Sequence, residues 1–210
     1  MGMKHIRDHF TRFGLQVHLG TWSTTSGQED VKSKTEAMYF PPYDKRKDII
    51  SEDLLSGSYD VSNGQFVSFC SSFKYLGAYI MPTLDDTFDI DARITLATKV
   101  WHALHPVLTN ERICHDIQKC LYLAIPVNIL HWGCDLWDLA ESHQQKLKAF
   151  HNKNARSLCF ITRWHCQHHK QSMKDIFEKK LKMLPIEKMI NLRQIHFLKK
   201  VAHQKTNRLT

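Results

Sequence analysis

The pattern of hydrophobic and polar positions changes character once along the chain. Residues 1–80 mix one helical period with several short alternating runs, and from residue 81 onward the period is helical throughout. Met3 to Phe13 places Ile6, Phe10 and Phe13 on one side of a helix that Gly14 stops. Leu15 to Leu19 alternates as a strand does, and residues 20–30 are turn formers that predict an exposed loop. Thr35 to Phe40 predicts a strand ended by Pro41-Pro42, and residues 43–58, charged and serine-rich, predict a further loop. Asn63-Gly64 between two β-prone runs over 59–69 is a hairpin signal, and Phe73 to Ile80 predicts one more strand with Gly77 inside it.

In the second part, Asp89 to Leu108 aligns Ile90, Ile94, Ala97, Trp101, Leu104 and Leu108. Glu111 to Ile125 aligns Ile113, Ile117, Cys120, Leu121, Ala124 and Ile125, before Pro126 kinks or ends that helix. Ser142 to Ile161 sets Leu147, Phe150, Leu158 and Ile161 among basic residues. A shorter helix with Met173, Ile176, Phe177, Leu181 and Leu184 stops before Pro185, and Ile186, Met189, Ile190, Phe197 and Val201 mark the last. The expected class is therefore α+β. A small antiparallel β part with one helix occupies 1–80, an all-helical bundle occupies 81–210, and there are no internal repeats.

With 210 residues the chain is long enough to bury a core, and 42% hydrophobic with 24% charged residues is neither disordered nor fibrous. The apolar uncharged stretch Cys120 to Cys134 is only 15 residues and holds Pro126, Asn128 and His131, too short and too polar to span a bilayer. The start, Met1 to Ile6, lacks the apolar core of a signal peptide and, with Ile6 in place of Ser or Thr, a myristoylation signal. Six scattered cysteines read as reduced, so an intracellular protein, cytoplasmic or nuclear, is expected.

Charge changes the picture more. Residues 1–80 carry 9 basic and 9 acidic side chains and residues 81–140 carry 4 and 8, whereas residues 141–210 carry 16 and 4. Such a cationic block suits a polyanion, nucleic acid above all, although surface lysines also simply solvate helices.

Candidate chemistry is sparse. Asp85-Asp86 invites a two-metal reading, but with no third carboxylate at a fitting spacing upstream it reads as a solvated helix N-terminus with Asp89. His165, Cys166, His168 and His169, with Cys159 before them, crowd too closely for one zinc ion and read as a polar helix end. Trp132, Gly133, Cys134 and Trp137 read as packing. Hydrolase elbows, phosphate-binding glycine loops and dinucleotide fingerprints are absent from the sequence.

Three blocks in order carry a resemblance. Phe13-Gly14-Leu15-Gln16-Val17-His18 followed by Ser33-Lys34-Thr35-Glu36-Ala37-Met38 is similar to palm motif D of non-LTR (LINE-type) retrotransposon reverse transcriptases. Phe73-Lys74-Tyr75-Leu76-Gly77-Ala78-Tyr79-Ile80 resembles their motif E, the primer grip. The run from Ala124 to Trp137, then Leu147 and Phe150, then Arg156, Cys159, Ile161 and Trp164, resembles the helical region after the palm. The likeness spans about residues 4–205.

The resemblance implies the end of a polymerase palm over 1–80 and a thumb over 81–210. It makes Lys34 the candidate catalytic cation beside departing pyrophosphate. Phe73, Tyr75, Leu76 and Gly77 become the primer-gripping residues. Lys146, Lys148, Lys153, Arg156, Arg163, Lys170, Lys199 and Lys200 become the contacts to an RNA–DNA template–primer duplex. The family's aromatic-x-Asp-Asp hairpin precedes motif D and is not in this sequence, while Asp85-Asp86 follows motif E. The expectation is therefore a nucleic-acid-binding fragment without polymerase activity of its own and without a metal site or cofactor, Mg²⁺ belonging to the intact enzyme with its upstream palm and fingers. The polar insertion 20–32 between the halves of motif D is a departure from the family. The residues alone also fit a basic helical module for an acidic protein, a zinc domain, or a degenerate fragment without function.

Overall fold

A computed structural model of the chain describes residues 2–14, 16–23, 29–31, 33–40, 57–62 and 64–206. The chain divides into two compact units between Asp85 and Asp86.

In the first unit, α1 (Gly2–Arg12) forms as its spacing predicts. Its expected apolar stripe does not become core, since Ile6, Phe10 and Phe13 are all exposed. Half-buried Arg7 instead reaches across to donate from Nη1 to Gln65 Oε1 at 3.1 Å.

The sheet is built on β5 (Gln65–Phe69). Along one edge β4 (Ser58–Ser62) runs antiparallel, the pair Ser62 and Gln65 closing the hairpin around residues 63 and 64. Asn63 itself lies outside the described residues. β1 (Gly20–Trp22) pairs antiparallel with Gln65 and Phe66, and β3 (Glu36–Ala37) pairs parallel with Ser68 and Phe69. The sheet is therefore mixed, where a purely antiparallel one was expected.

β2 (Glu29–Val31) pairs with β1, so the ends of the expected loop 20–30 form a strand pair and residues 16–19 are not a strand. The reason is tertiary. Trp22 stacks on Phe66 with centroids 4.2 Å apart, and its Nε1 donates to Asp60 at 2.7 Å. Gly20 is required there, because a Cβ would collide with the Phe66 ring, which is fully buried. The expected strand 35–40 is strand only at residues 36 and 37. The expected loop 43–58 lies, up to residue 56, outside the described residues.

Phe73 to Ile80 is not one strand. β6 (Phe73–Tyr75) and β7 (Ala78–Ile80) fold back on each other as a separate two-stranded sheet. Leu76 at φ 48° and Gly77 at φ 89° make the tight turn, since two positive φ values in succession match the twist of the flanking strands.

The second unit is helical: α2 (Thr87–Leu108), α3 (His115–Tyr122), α4 (Asn128–Leu130), α5 (Glu141–Leu158), α6 (Arg163–His168), α7 (Met173–Asp175) and α8 (Ile186–Thr206). Its core joins Ile90, Ala97, Trp101 and Leu108 of α2 to Leu147, Phe150 and Leu158 of α5 and to Ile186 and Ile190 of α8. Pro126 does not end a helix. It sits buried in a π-helical turn, Leu123–Val127, with i→i+5 bonding in place of i→i+4, and the helix resumes as α4. A second such turn, Ile176–Leu181, follows α7 and buries Ile176, Phe177 and Leu181.

The buried side of α3 is not the predicted one. Ile117 and Cys120 are exposed, and Ile125 beyond the helix is exposed as well, while Gln118 and Tyr122 are buried. Gln118 is satisfied locally, its Nε2 donating to the Asn110 carbonyl at 2.7 Å. Tyr122 belongs to an aromatic column, with Trp101 edge-on at 5.5 Å, His151 stacked at 5.7 Å, and Phe177 stacked on His151 at 5.0 Å. Among the described residues no helix is long and apolar enough to cross a membrane.

Candidate nucleic-acid interface

Within the first unit, the β6–β7 hairpin presents its apolar tip to solvent. Phe73 and Tyr75, two apart on one face of β6, stack with centroids 6.5 Å apart, and Leu76 at the turn is 77% exposed. Lys74, on the opposite face, lies 5.5 Å from the centre of the Tyr79 ring, a cation–π contact. The Phe73–Tyr75 face can stack on bases or sugars, while the Lys74 cation belongs to the other face with Tyr79. Lys34 is exposed on a bend leading into β3. That bend is held by buried Ser33, whose hydroxyl donates to the Thr35 carbonyl at 2.6 Å, and by the Thr35 amide, which donates to the His18 carbonyl.

The basic residues of the second unit fall into groups. Lys146 is engaged, its ammonium 2.8 Å from both carboxylate oxygens of Asp91 on α2. Lys148 lies 3.8 Å from Glu187 of α8. Arg156 is half-buried, and its Nη1 reaches the Met173 sulfur at 3.6 Å. Lys146 and Lys148 thus meet carboxylates within the bundle, whereas the Met173 thioether is neutral and leaves the Arg156 charge in place. Lys153, Arg163 and Lys170 are exposed, with no carboxylate partner among the described residues. Lys153 stands with Lys146 on a cleft of about 390 Å³ between α2 and α5, whose floor is Ile94, Trp101 and Phe150.

Lys199 and Lys200 are also exposed, on α8. Lys200 lines a concavity of about 440 Å³ with Asp135, Leu192, Arg193, His196 and Phe197. Arg193 and His196 were not singled out from sequence, although their spacing to Lys200, three and then four residues, already places all three on one helix face.

The acidic residues have structural work. Asp86 Oδ2 accepts the Asp138 amide at 2.6 Å. Asp89, expected to be solvated, is buried. Its Oδ2 accepts from Trp137 Nε1 at 3.0 Å and its Oδ1 faces Arg93 Nε at 3.5 Å. Among the described residues no group of three or more His, Cys, Asp or Glu side chains is placed to hold a metal ion.

The histidine-rich stretch forms α6, capped by Thr162, whose hydroxyl accepts from the His165 amide. Trp164 stacks on His168 at 3.9 Å, and His165 lies 4.2 Å from His169. Cys134 and Trp137 are core as expected, and burial pushes the Cys134 thiol up to about 11, too high to supply a thiolate. Trp132, expected to pack, is instead exposed.

Comparison with protein families, with curated proteins and with solved structures finds no match for this chain.

Proposed function

We propose that the chain binds a nucleic-acid duplex without reading its sequence, as a template–primer-holding fragment of a reverse transcriptase of the retrotransposon type. The observation that carries this reading is the unneutralised cationic surface of the helical unit. Residues 141–210 hold 16 basic and 4 acidic side chains, and Lys153, Arg163 and Lys170 stand exposed without carboxylate partners among the described residues. Phosphate contacts need such cations and no base-specific geometry. The stacked Phe73–Tyr75 pair on an exposed hairpin supports the same reading, because it supplies an aromatic platform for a strand end. Lys34, exposed, is the cation that the resemblance assigns to the departing pyrophosphate. The fragment binds and holds. Copying RNA into DNA belongs to the intact enzyme with its Mg²⁺-binding carboxylates.

The test is titration of an RNA–DNA hybrid at several salt concentrations. The triple variant Lys153→Ala, Arg163→Ala, Lys170→Ala is expected to flatten the log–log salt slope by roughly one for each cation removed from a phosphate, so about three. Lys146→Ala serves as the internal control, since its ammonium already belongs to Asp91. An unchanged slope in the triple variant, or an equal effect from Lys146→Ala alone, refutes the assignment.

A further inference from the structure

α8 carries two apolar faces, and the bundle uses only one. Ile186 and Ile190 are buried, and Gln194 continues that side by donating to the carbonyls of Cys134 and Trp137 at 3.1 and 2.9 Å. Leu192, Ile195 and Leu198 repeat every third residue on another side and are 56%, 49% and 64% exposed. Leu136, 75% exposed, stands on the turn that Gln194 ties to α8. Beside this stripe lies the concavity of about 440 Å³, lined by the apolar Leu192 and Phe197, by the cations Arg193 and Lys200, by His196 and by one carboxylate, Asp135. Large aliphatic side chains with a cationic row alongside are more than a solvated surface needs.

We infer that this side of α8 is the docking site for an acidic amphipathic helix of another protein. The occupant follows from what the surface offers. Its apolar stripe is one residue wide and borders a groove, the complement of a second helix laying in leucine-sized anchors at a period of three and four. Its charge is positive on balance, with Asp135 the one carboxylate lining the groove among the described residues. Over Ile186 to Lys200, α8 carries Lys188, Arg193, Lys199 and Lys200 against the single acid Glu187, whose carboxylate already faces Lys148. A second copy would bring the same cations against these, so like charges oppose self-pairing, whereas a helix flanked by Glu and Asp neutralises them. A phosphate backbone satisfies the cations and leaves Leu192, Ile195 and Leu198 in water. A bilayer surface covers the aliphatic side chains and cannot enter the groove. The stripe Leu192, Ile195 and Leu198 has no part in the proposed duplex binding, which rests on Lys153, Arg163 and Lys170, while Lys200 in the groove is one of the cations that the resemblance also gives to the duplex.

The probe is a synthetic peptide of about 20 residues, with leucine at helical spacing on one face and glutamate on its flanks. Its control is the same composition scrambled so that no face forms. Fluorescence anisotropy against the full chain is expected to show the periodic peptide binding at least tenfold tighter than the scrambled one. The double variant Ile195→Asp, Leu198→Asp changes only exposed positions and is expected to weaken the periodic peptide at least tenfold. Arg193→Ala with Lys200→Ala reports the charge contribution in a chain whose stripe is intact, and a severalfold loss is expected.

Equal affinity for the two peptides reduces the site to charge alone and overturns the inference. So does an aspartate variant that binds as the parent does. Sedimentation showing self-association that the aspartate variant abolishes would put a second copy in the groove. Pelleting with phosphatidylserine vesicles that the same variant abolishes would put a membrane there. Either result refutes the acidic-helix assignment.

Discussion

Two imidazoles lie inside the helical unit where a charge has no solvent, so moving from about pH 7.5 to about pH 5 is expected to weaken that unit well before the carboxylates titrate. His151 is stacked between Tyr122 and Phe177, and it is hydrogen-bonded on both nitrogens. Its Nε2–H donates to the Leu184 carbonyl at 3.3 Å, which leaves Nδ1 to accept the Tyr122 hydroxyl at 2.8 Å. That is a complete set for the neutral ring. Burial holds its pKa down at about 4, and burial, with Arg193 and His151 nearby, holds His131 at about 4 as well.

Both values lie below the ordinary histidine pKa of about 6.5 that the unfolded chain shows. The stability they confer is therefore whole above pH ~6.5 and is lost progressively as the pH falls toward ~4, because the unfolded chain takes up protons that the fold refuses. At about pH 5 the cost is roughly 2 kcal/mol for each ring, an appreciable share of the ~5–15 kcal/mol that holds a domain together. The assay is urea unfolding followed by helical circular dichroism at the two pH values and constant salt. His151→Gln keeps a donor and an acceptor and removes the titration. It is expected to be less stable at about pH 7.5, for want of the stack, and to lose about half as much as the parent on acidification. Equal losses in parent and variant, or a parent whose midpoint does not move, would refute the reasoning.

Two further substitutions probe the packing of each unit. Gly20→Ala drives a methyl into the Phe66 ring and is expected to cost the first unit about 1–3 kcal/mol, read as an earlier unfolding transition in the fluorescence of Trp22, which stacks on that ring. A transition that stays put would show that the ring can yield. Asp89→Ala strips the buried acceptor from Trp137 Nε1 and the counter-charge from Arg93, with an expected cost of about 3–5 kcal/mol in urea unfolding of the helical unit. A loss below about 1 kcal/mol would mean that other partners of Arg93 carry the charge.

The long helices were legible in the sequence because their periodic residues do become the core: Ile90, Ala97, Trp101 and Leu108 in α2, and Leu147, Phe150 and Leu158 in α5. Where periodicity misled, a polar group had found a partner that no local pattern records. Gln118 turns inward on α3 because the Asn110 carbonyl accepts from it, and Ile117 is left outside. Arg7 performs the same exchange on α1, reaching Gln65 while Phe10 faces solvent. The β1–β2 pair was illegible for a different reason. Its residues are turn formers, held as strands by Trp22 against Phe66 and Asp60, more than 30 residues away in sequence. In the candidate site, the charge count located the cationic block and missed its pairing, since Asp91 and Glu187, which engage Lys146 and Lys148, come from other helices.

That pairing sorts the cations by what they can bind. Lys146, Lys148 and Lys179 meet carboxylates of the helical unit itself, so a ligand competing for them must first displace Asp91, Glu187 or Asp175. Lys153, Arg163 and Lys170 meet none among the described residues and are exposed, whereas Arg193 and Lys200 share their surface with Leu192, Phe197 and the carboxylate Asp135. The two surfaces therefore differ in how salt acts on them. Phosphate binding at the first, as proposed, would be driven by counterion release and would weaken steeply as salt rises. Docking of a helix at the second, as inferred, would draw on burial of aliphatic area, which salt does not screen, and only its charged rim would weaken. A duplex and an acidic helix bound to the same chain would thus part company on a salt titration, the duplex leaving first.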